Sequence, residues 1–348
     1  MQSLPVLLIG YGMAGSWFHA PLIHGVQGMH LAGVVTGVPE RQSAVRRDYP
    51  SVALFTNATD ALQSDVEFGL AVVTTPNSTH VEVAAMTMER GLPTVVDKPL
   101  APSAKEARHL VSLANSHGVE ISVFHNRRWD GDFRTVKRLI DERGLGEIQR
   151  FVSRFDRWEP HPRLGWRESE SREQGGGVLL DLGPHLVDQA LCLFGRPDAV
   201  HAQLATRRNV ASDDDFFLAV SHENGVQSHL YSSALEAAPT PRFHVSGSGG
   251  SYVKYGVDVQ EERFAAGEPY DPERTGVEPF ERWGLLYSDH EVATCATETG
   301  DWGLFYRSFR DCLLNGANNP SPAEDAVLTL EVLDAAALSA TSGAVVDL

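Results

Sequence analysis

The feature that most restricts how this chain can fold is the glycine run Gly10-Tyr11-Gly12-Met13-Ala14-Gly15, set directly behind the apolar stretch Val6-Leu7-Leu8-Ile9. A short apolar run that stops at glycine and continues as a helix reads as the first turn of a βαβ unit. The first glycine permits a tight turn, and the second lets the backbone approach a pyrophosphate. The third lets helix and strand pack closely, and the helix N-terminus supplies partial positive charge. The bare pattern also occurs as a turn without a ligand. Its place between strand and helix is what points to a dinucleotide, with Gly10, Gly12, Met13, Ala14 and Gly15 as candidate contacts.

The rest of the first half keeps this rhythm. Strand-like runs at 6–9, 31–36, 68–74, 94–96 and 120–124 are interleaved with helical patterns at 80–90 and 103–117. Ser103 followed by Glu106 makes a capping box for the second helix. Such alternation predicts a parallel sheet covered on both faces, hence an α/β Rossmann domain over residues 1–125. Beyond residue 146 the texture changes. Strands are expected at 147–155, 200–206, 216–222, 227–232, 243–247 and 251–255, without long intervening helices. That predicts an α+β domain over 126–348, built on a large, mostly antiparallel open sheet. The charged, Pro- and Gly-rich stretch 256–298 reads as loop, and helices are expected at 301–314 and 323–340.

Composition narrows the function. Twenty-nine basic against 46 acidic residues give a net charge of -17, which argues against a nucleic-acid partner. Three cysteines build no disulfide framework and suit a reducing compartment. The start has no basic segment and enters a strand at once, unlike a signal peptide. No apolar stretch approaches the roughly 18 residues of a membrane helix. The expectation is a cytoplasmic protein with no membrane partner. No clustered Cys/His spacing suggests a metal site.

The end of the second strand bears on the cofactor. NAD sites usually place Asp or Glu there to grip the ribose hydroxyls. Here the strand ends Val35-Thr36-Gly37-Val38, and no carboxylate comes before Glu40. Thr36 can donate to a 2′-phosphate and Arg41 can offset its charge, so NADP is favoured and NAD stays possible. Arg46 and Arg47 read as a solvated helix face. After the third long strand, Thr74, Thr75, Pro76, Asn77 and His80 lie in a turn that a Rossmann sheet places over its ligand crevice. The same turn is also readable as a plain polar helix cap.

Two further stretches carry chemistry. Asp97-Lys98-Pro99 follows a short strand, which aims an ammonium at the same crevice, where it can polarise a hydroxyl. Alone, Lys98 reads equally as a surface lysine. Gly175-Gly176-Gly177 leads to Asp181 and to Pro184-His185 at a helix start that Gly195 closes. A histidine there is poised to exchange a proton, its pKa lowered by the helix end and raised by the nearby carboxylate. It is also readable as half of a capping pair with Asp181. Asn126, Arg128 and Trp129 at the exit from the first domain, and Trp166 with Arg167, are candidates for the nicotinamide amide or a polyhydroxylated substrate.

Gly10–Gly15, Asp97-Lys98-Pro99 and Asp181-x-x-x-His185, in this order and spacing, resemble the Gfo/Idh/MocA oxidoreductases over essentially the whole chain. The segments VFHNRRWDGDF, WRE, DLGPHLVDQALCLFG and GSYVKYGVDVQEE look closer still to bacterial NADP-dependent scyllo-inositol 2-dehydrogenases and their relatives. The resemblance implies a catalytic group of Lys98, Asp181 and His185. His185 would transfer the proton, Lys98 would be its hydrogen-bonding partner, and Asp181 the orienting carboxylate. It implies that Asp97, Lys98, Trp166 and Arg167 approach the cofactor. It also brings the region around Tyr252 to Tyr255 to the pocket, so that Tyr255 joins Arg128 and Trp129 as candidates for a polyol or sugar substrate, and it makes the C-terminal sheet a homodimer or homotetramer contact. The family's usual motif is Glu-Lys-Pro, so Asp97 shortens that acid by one methylene. The rival expectation is a non-catalytic NADP(H) sensor, which would keep the glycine turn but dispense with Lys98 or His185.

Overall fold

Six short apolar strands form the first sheet: β1 (Leu4–Ile9), β2 (Met29–Val35), β3 (Ala53–Phe55), β4 (Leu70–Val73), β5 (Thr94–Asp97) and β6 (Ile121–Phe124). The computed structural model describes residues 3–162, 165–289 and 291–348, apart from the side chain of Trp166. All neighbours in this sheet pair in parallel, in the order β3-β2-β1-β4-β5-β6. Strands covered on both faces need apolar residues at successive positions, and Leu70 to Val73 are all buried. The order reverses between β1 and β4, so the crevice beyond their carboxyl ends is where this topology binds ligands. Helix Ala104–His117 is N-capped by Ser103, whose Oγ accepts the Glu106 N–H and donates to the Glu106 carboxylate at 2.7 Å, so half of the expected capping box is formed.

The second sheet has nine strands: β7 (Ile148–Arg154), β8 (Pro197–Ala205), β9 (Asp215–His222), β10 (Gln227–Ser233), β11 (Pro241–Gly247), β12 (Gly250–Tyr255), β13 (Gly284–Tyr287), β14 (Val292–Cys295) and β15 (Val346–Asp347). Their order is β14-β13-β12-β11-β7-β10-β9-β8-β15, antiparallel except for the β7–β10 pair. In β9 and β10 buried positions alternate with half-buried ones, as expected for a sheet with one covered face. Helices Gly183–Phe194 and Ala323–Ser342 supply that cover.

Several elements depart from expectation. The stretch 256–298 is not a plain loop: it holds helix Val259–Ala265 and strands β13 and β14. These strands have only four residues each, too few for a clear alternation, and they form because β12 offers a free edge, with Ser251 opposite Tyr287 and Val253 opposite Leu285. Strand β3 is too short to carry a periodic signal, whereas helix Gly131–Asp141, with Phe133, Val136 and Leu139 buried at helical spacing, was legible but not among the expected elements.

The chain also doubles back after the second sheet. Trp302, Phe305, Tyr306 and Phe309 lie in one buried cluster with Leu8, Val34, Val72 and Phe124 of the first sheet. Phe305 stands edge-on to Phe124 at 5.1 Å and to Trp129 at 5.6 Å. Helix Gly303–Asn315 is therefore bound to the Rossmann sheet by burial of large aromatic side chains. We predict that Phe305→Ala, at a fully buried site, costs about 3–5 kcal/mol in urea unfolding. Leu314→Ala, on the exposed face of the same helix, is expected to cost less than about 0.5 kcal/mol. Equal losses at the two positions would contradict this packing.

Candidate active site

The glycine turn packs as its sequence demands. Gly10 has φ +106°, and a Cβ there would sit 2.7 Å from the Thr74 carbonyl oxygen. A Cβ on Gly15 would sit 2.3 Å from the Gly10 carbonyl oxygen. Thr74 closes the turn from β4, donating from Oγ1 to the Gly10 carbonyl at 2.8 Å. Gly12 is different: a Cβ there would meet only the Arg41 guanidinium, at 3.9 Å. The backbone at Gly12 is thus bare on the side where a phosphate would lie, with a cation beside it. Thr36 is buried at the end of β2, and its carbonyl accepts from the Gln42 side chain at 2.9 Å. Together these residues fit a dinucleotide, with Arg41 and Thr36 at the end that would carry a 2′-phosphate.

A cavity of about 730 Å³ opens beside this turn. Met13, Ala14 and Trp17 of the first helix line one side, and Asp97 and Lys98 at the end of β5 line another. Asp181 and His185 close it from the second sheet's side. The Lys98–Pro99 peptide is cis. Lys98 Nζ donates to the Asp181 carbonyl at 2.5 Å and to Asp181 Oδ1 at 3.0 Å. An ammonium has three N–H groups, so one is left for a ligand. Arg167 Nε donates to the same Oδ1 at 3.1 Å. Burial pushes the Asp181 carboxyl up, but Lys98, Arg167 and Arg157 outweigh it and hold the group far below the usual carboxylate range. It is an anion throughout the neutral range.

His185 lies one turn beyond Asp181, in the first turn of helix Gly183–Phe194, where Pro184 presets the backbone. It is 6% exposed, edge-on to the Phe155 ring at 6.1 Å, and its Nδ1 is buried without a hydrogen-bond partner. Burial drives its pKa well below that of an ordinary histidine, and the nearby charges of Lys98, Arg127 and Arg242 add to this. Any raising effect of the nearby carboxylate is outweighed by burial and these charges, and Asp181 itself is turned to Lys98 and Arg167. Asp181 therefore holds the lysine and leaves the imidazole uncharged.

The remaining candidates divide by position. Asn126 lines the cavity, and so does its neighbour Arg127. Arg127 lies over the Phe155 ring and pairs with Asp130 and Glu261. Arg128, one step further along the 3-10 turn Asn126–Trp129, points elsewhere, to Asp188 at 2.6 Å and Asp325 at 2.9 Å. Consecutive residues of such a turn are rotated by about 120°, which separates the two arginines. Trp129 packs on Phe305, away from the cavity. Tyr255 is half exposed and outside the lining, because the inward positions of β12 are Tyr252 and Lys254. His80 is buried, each ring nitrogen 2.8 Å from a carbonyl oxygen, of Thr75 and of Pro99. It clamps the turns after β4 and β5 and faces no ligand. Asn77 ties the turn that holds Thr75 and Pro76 to the glycine run, donating to the Gly175 carbonyl at 3.1 Å. Trp166 opens the short helix Trp166–Ser169, and its side chain lies outside the described residues.

Comparison with known proteins identifies the family and the fold. Residues 4–125 match the model of an oxidoreductase family with an NAD-binding Rossmann fold, and residues 133–253 match the GFO/IDH/MocA C-terminal domain. The chain is 40% identical to oxidoreductase YdgJ of Escherichia coli, covering 96% of this chain and 95% of that one. It is 32% identical to the scyllo-inositol 2-dehydrogenase (NADP(+)) IolW of Bacillus subtilis, over 97% of this chain and 93% of that one. The solved structure of the oxidoreductase yvaA from Bacillus subtilis superposes with a TM-score of 0.92 at 31% identity, each chain covered in full. The geometry of the turn makes a direct prediction. Gly15→Ala should leave the far-ultraviolet circular dichroism intact while weakening NADPH binding at least about tenfold in a fluorescence titration. Unchanged affinity would show that the turn does not hold the dinucleotide.

Proposed function

Because this chain belongs to the GFO/IDH/MocA oxidoreductases, we propose that it is an NADP(H)-dependent dehydrogenase that interconverts a secondary alcohol and a ketone on a cyclitol or sugar. The observation that carries this reading is the convergence of Lys98, Asp181 and His185 with the first helix of the glycine turn on one cavity. When bound, the nicotinamide supplies or accepts the hydride. In the oxidation, neutral His185 takes the hydroxyl proton, and the ammonium of Lys98 hydrogen-bonds the substrate oxygen and stabilises the charge that builds on it. In the reverse direction the imidazolium returns the proton. Asp181 holds Lys98 in place through two contacts, and Arg167 shares that carboxylate. Arg127 and Asn126 offer donors to substrate or carboxamide groups.

The preference for NADP is supported by Arg41 beside Gly12, by the lack of a carboxylate at 35–39, and by the coenzyme in the name of the Bacillus subtilis relative. The cyclitol reading rests on that same relative. The C-terminal sheet, with one face covered by helices, is the surface we assign to a homodimer or homotetramer contact. No single helix among the described residues is long and apolar enough to cross a membrane.

The test is a panel of inositols, inososes, ketoses and polyols read at the NADPH absorbance band, on the wild type beside Lys98→Ala and His185→Ala. Both variants should bind NADPH and lose at least about a hundredfold in kcat, the scale of a general acid–base group. Alcohol oxidation should hold its rate below the ordinary histidine pKa of about 6.5, because His185 stays neutral there. In Lys98→Ala a cation that lowers the His185 pKa is gone, so the acid limb of the residual activity should move to higher pH. Full activity in either variant would overturn these roles. Tight NADPH binding without turnover of any compound would favour the sensor.

A further inference from the structure

Behind Lys98 lies a second buried polar chain that the chemistry above does not use. The first helix contains a π turn, Gly15–His19, just before Pro21. Proline has no N–H to donate to the Trp17 carbonyl, so regular α-helical bonding is broken there and the turn widens. The widened turn carries His19 into the interior, fully buried against the Phe124 ring at 4.3 Å. Its Nδ1 lies 2.5 Å from the Tyr306 hydroxyl, and its Nε2, buried without a hydrogen-bond partner, faces Asp97 Oδ1 across 3.8 Å, an electrostatic contact. Asp97 in turn accepts the Lys98 backbone N–H at 2.9 Å.

The proton positions follow from the partners. An ionised carboxylate only accepts, so the ring nitrogen facing Asp97 carries the proton. Nδ1 then has a free lone pair, which accepts from the Tyr306 O–H. Burial pushes the Asp97 carboxyl up, but His19 and Lys98 outweigh it and keep the group below the usual carboxylate range. Tyr306 comes from helix Gly303–Asn315, at the far end of the sequence.

The geometry points to His19 as a positioning residue: held at Nδ1 by Tyr306, it presents its Nε2 N–H toward the Asp97 carboxylate and so steadies the turn that carries Lys98. This inference rests on the proposed role of Lys98, and it commits to an order of dependence, Tyr306 to His19 to Asp97 to Lys98. Neither His19 nor Tyr306 touches substrate in this scheme, so they should act on kcat and little on KM.

The test combines three variants with two readouts. Gln can place an amide N–H where Nε2 stands, whereas the shorter Asn cannot. His19→Gln should therefore keep most of kcat, and His19→Asn should lose about threefold or more, since the contact it breaks is longer than a hydrogen bond. Tyr306→Phe keeps the ring packing and should lower kcat to a similar extent, with the KM for polyol within about twofold. Independently of turnover, ¹⁵N spectra of histidine-labelled wild type should show His19 as the Nε2–H tautomer, and Tyr306→Phe should keep that tautomer, because Asp97 still faces Nε2. Equal activity in His19→Asn and His19→Gln, or a Tyr306→Phe variant with unchanged kcat, would overturn the inference. So would a His19 ring protonated at Nδ1 or at both nitrogens. Because the spectra need no substrate, they decide the tautomer even if no polyol is turned over. In that case the dehydrogenase reading fails, and the buried chain stands or falls on the spectra alone.

Discussion

Everything at the cavity depends on one contact: the Lys98 ammonium seated on Asp181. Lys98 follows the last residue of β5 in the parallel sheet, and Asp181 lies in the turn that enters the helix covering the antiparallel sheet. The contact therefore ties the coenzyme-side crevice to the second half of the molecule. Both side chains are largely shielded from solvent, at 12% and 20% exposure. Removing one partner would leave a mostly buried charge unmatched, a cost of about 3–5 kcal/mol for fully buried pairs and less here because both retain some solvent.

The same contact sets the electrostatics of its neighbours in opposite senses. It holds Asp181 ionised, and it presses the already desolvated His185 further toward neutrality. Two titratable groups whose environments drive their pKa values in useful directions are a common mark of acid–base chemistry. A neutral imidazole beside a fixed ammonium can take a proton from a hydroxyl that the ammonium has made more acidic. Geometry and charge at the site thus come from one pair.

Much of this was legible in the residues. Glycine at 10, 12 and 15 left few choices for the first turn, and all-apolar runs such as Leu70–Val73 announced a sheet buried on both faces. Lys98, Asp181 and His185 stood out because each ends or begins an element. What stayed hidden depends on tertiary context. Edge strands β13 and β14 form on a neighbour's free edge, and no local pattern encodes that neighbour. Arg127 and Arg128 are adjacent and alike in chemistry, and only the 3-10 turn decides which one faces the cavity. The roles of His19 and Tyr306 could not be read at all, since 287 positions separate them along the chain. The partner of Asp181 was also misjudged: a spacing of four suggested His185, whereas the carboxylate turns toward the stronger charge of Lys98.

The central claim is that Lys98 and Asp181 act as a unit, and a double-mutant cycle on kcat tests it most directly. Lys98→Met, Asp181→Asn and the double variant would be compared in NADP-linked oxidation of whichever polyol the wild type turns over. If the pair is one device, the double variant should fall within about threefold of the worse single variant. Losses that simply multiply would mean that each residue works alone, and the coupling described here would be wrong.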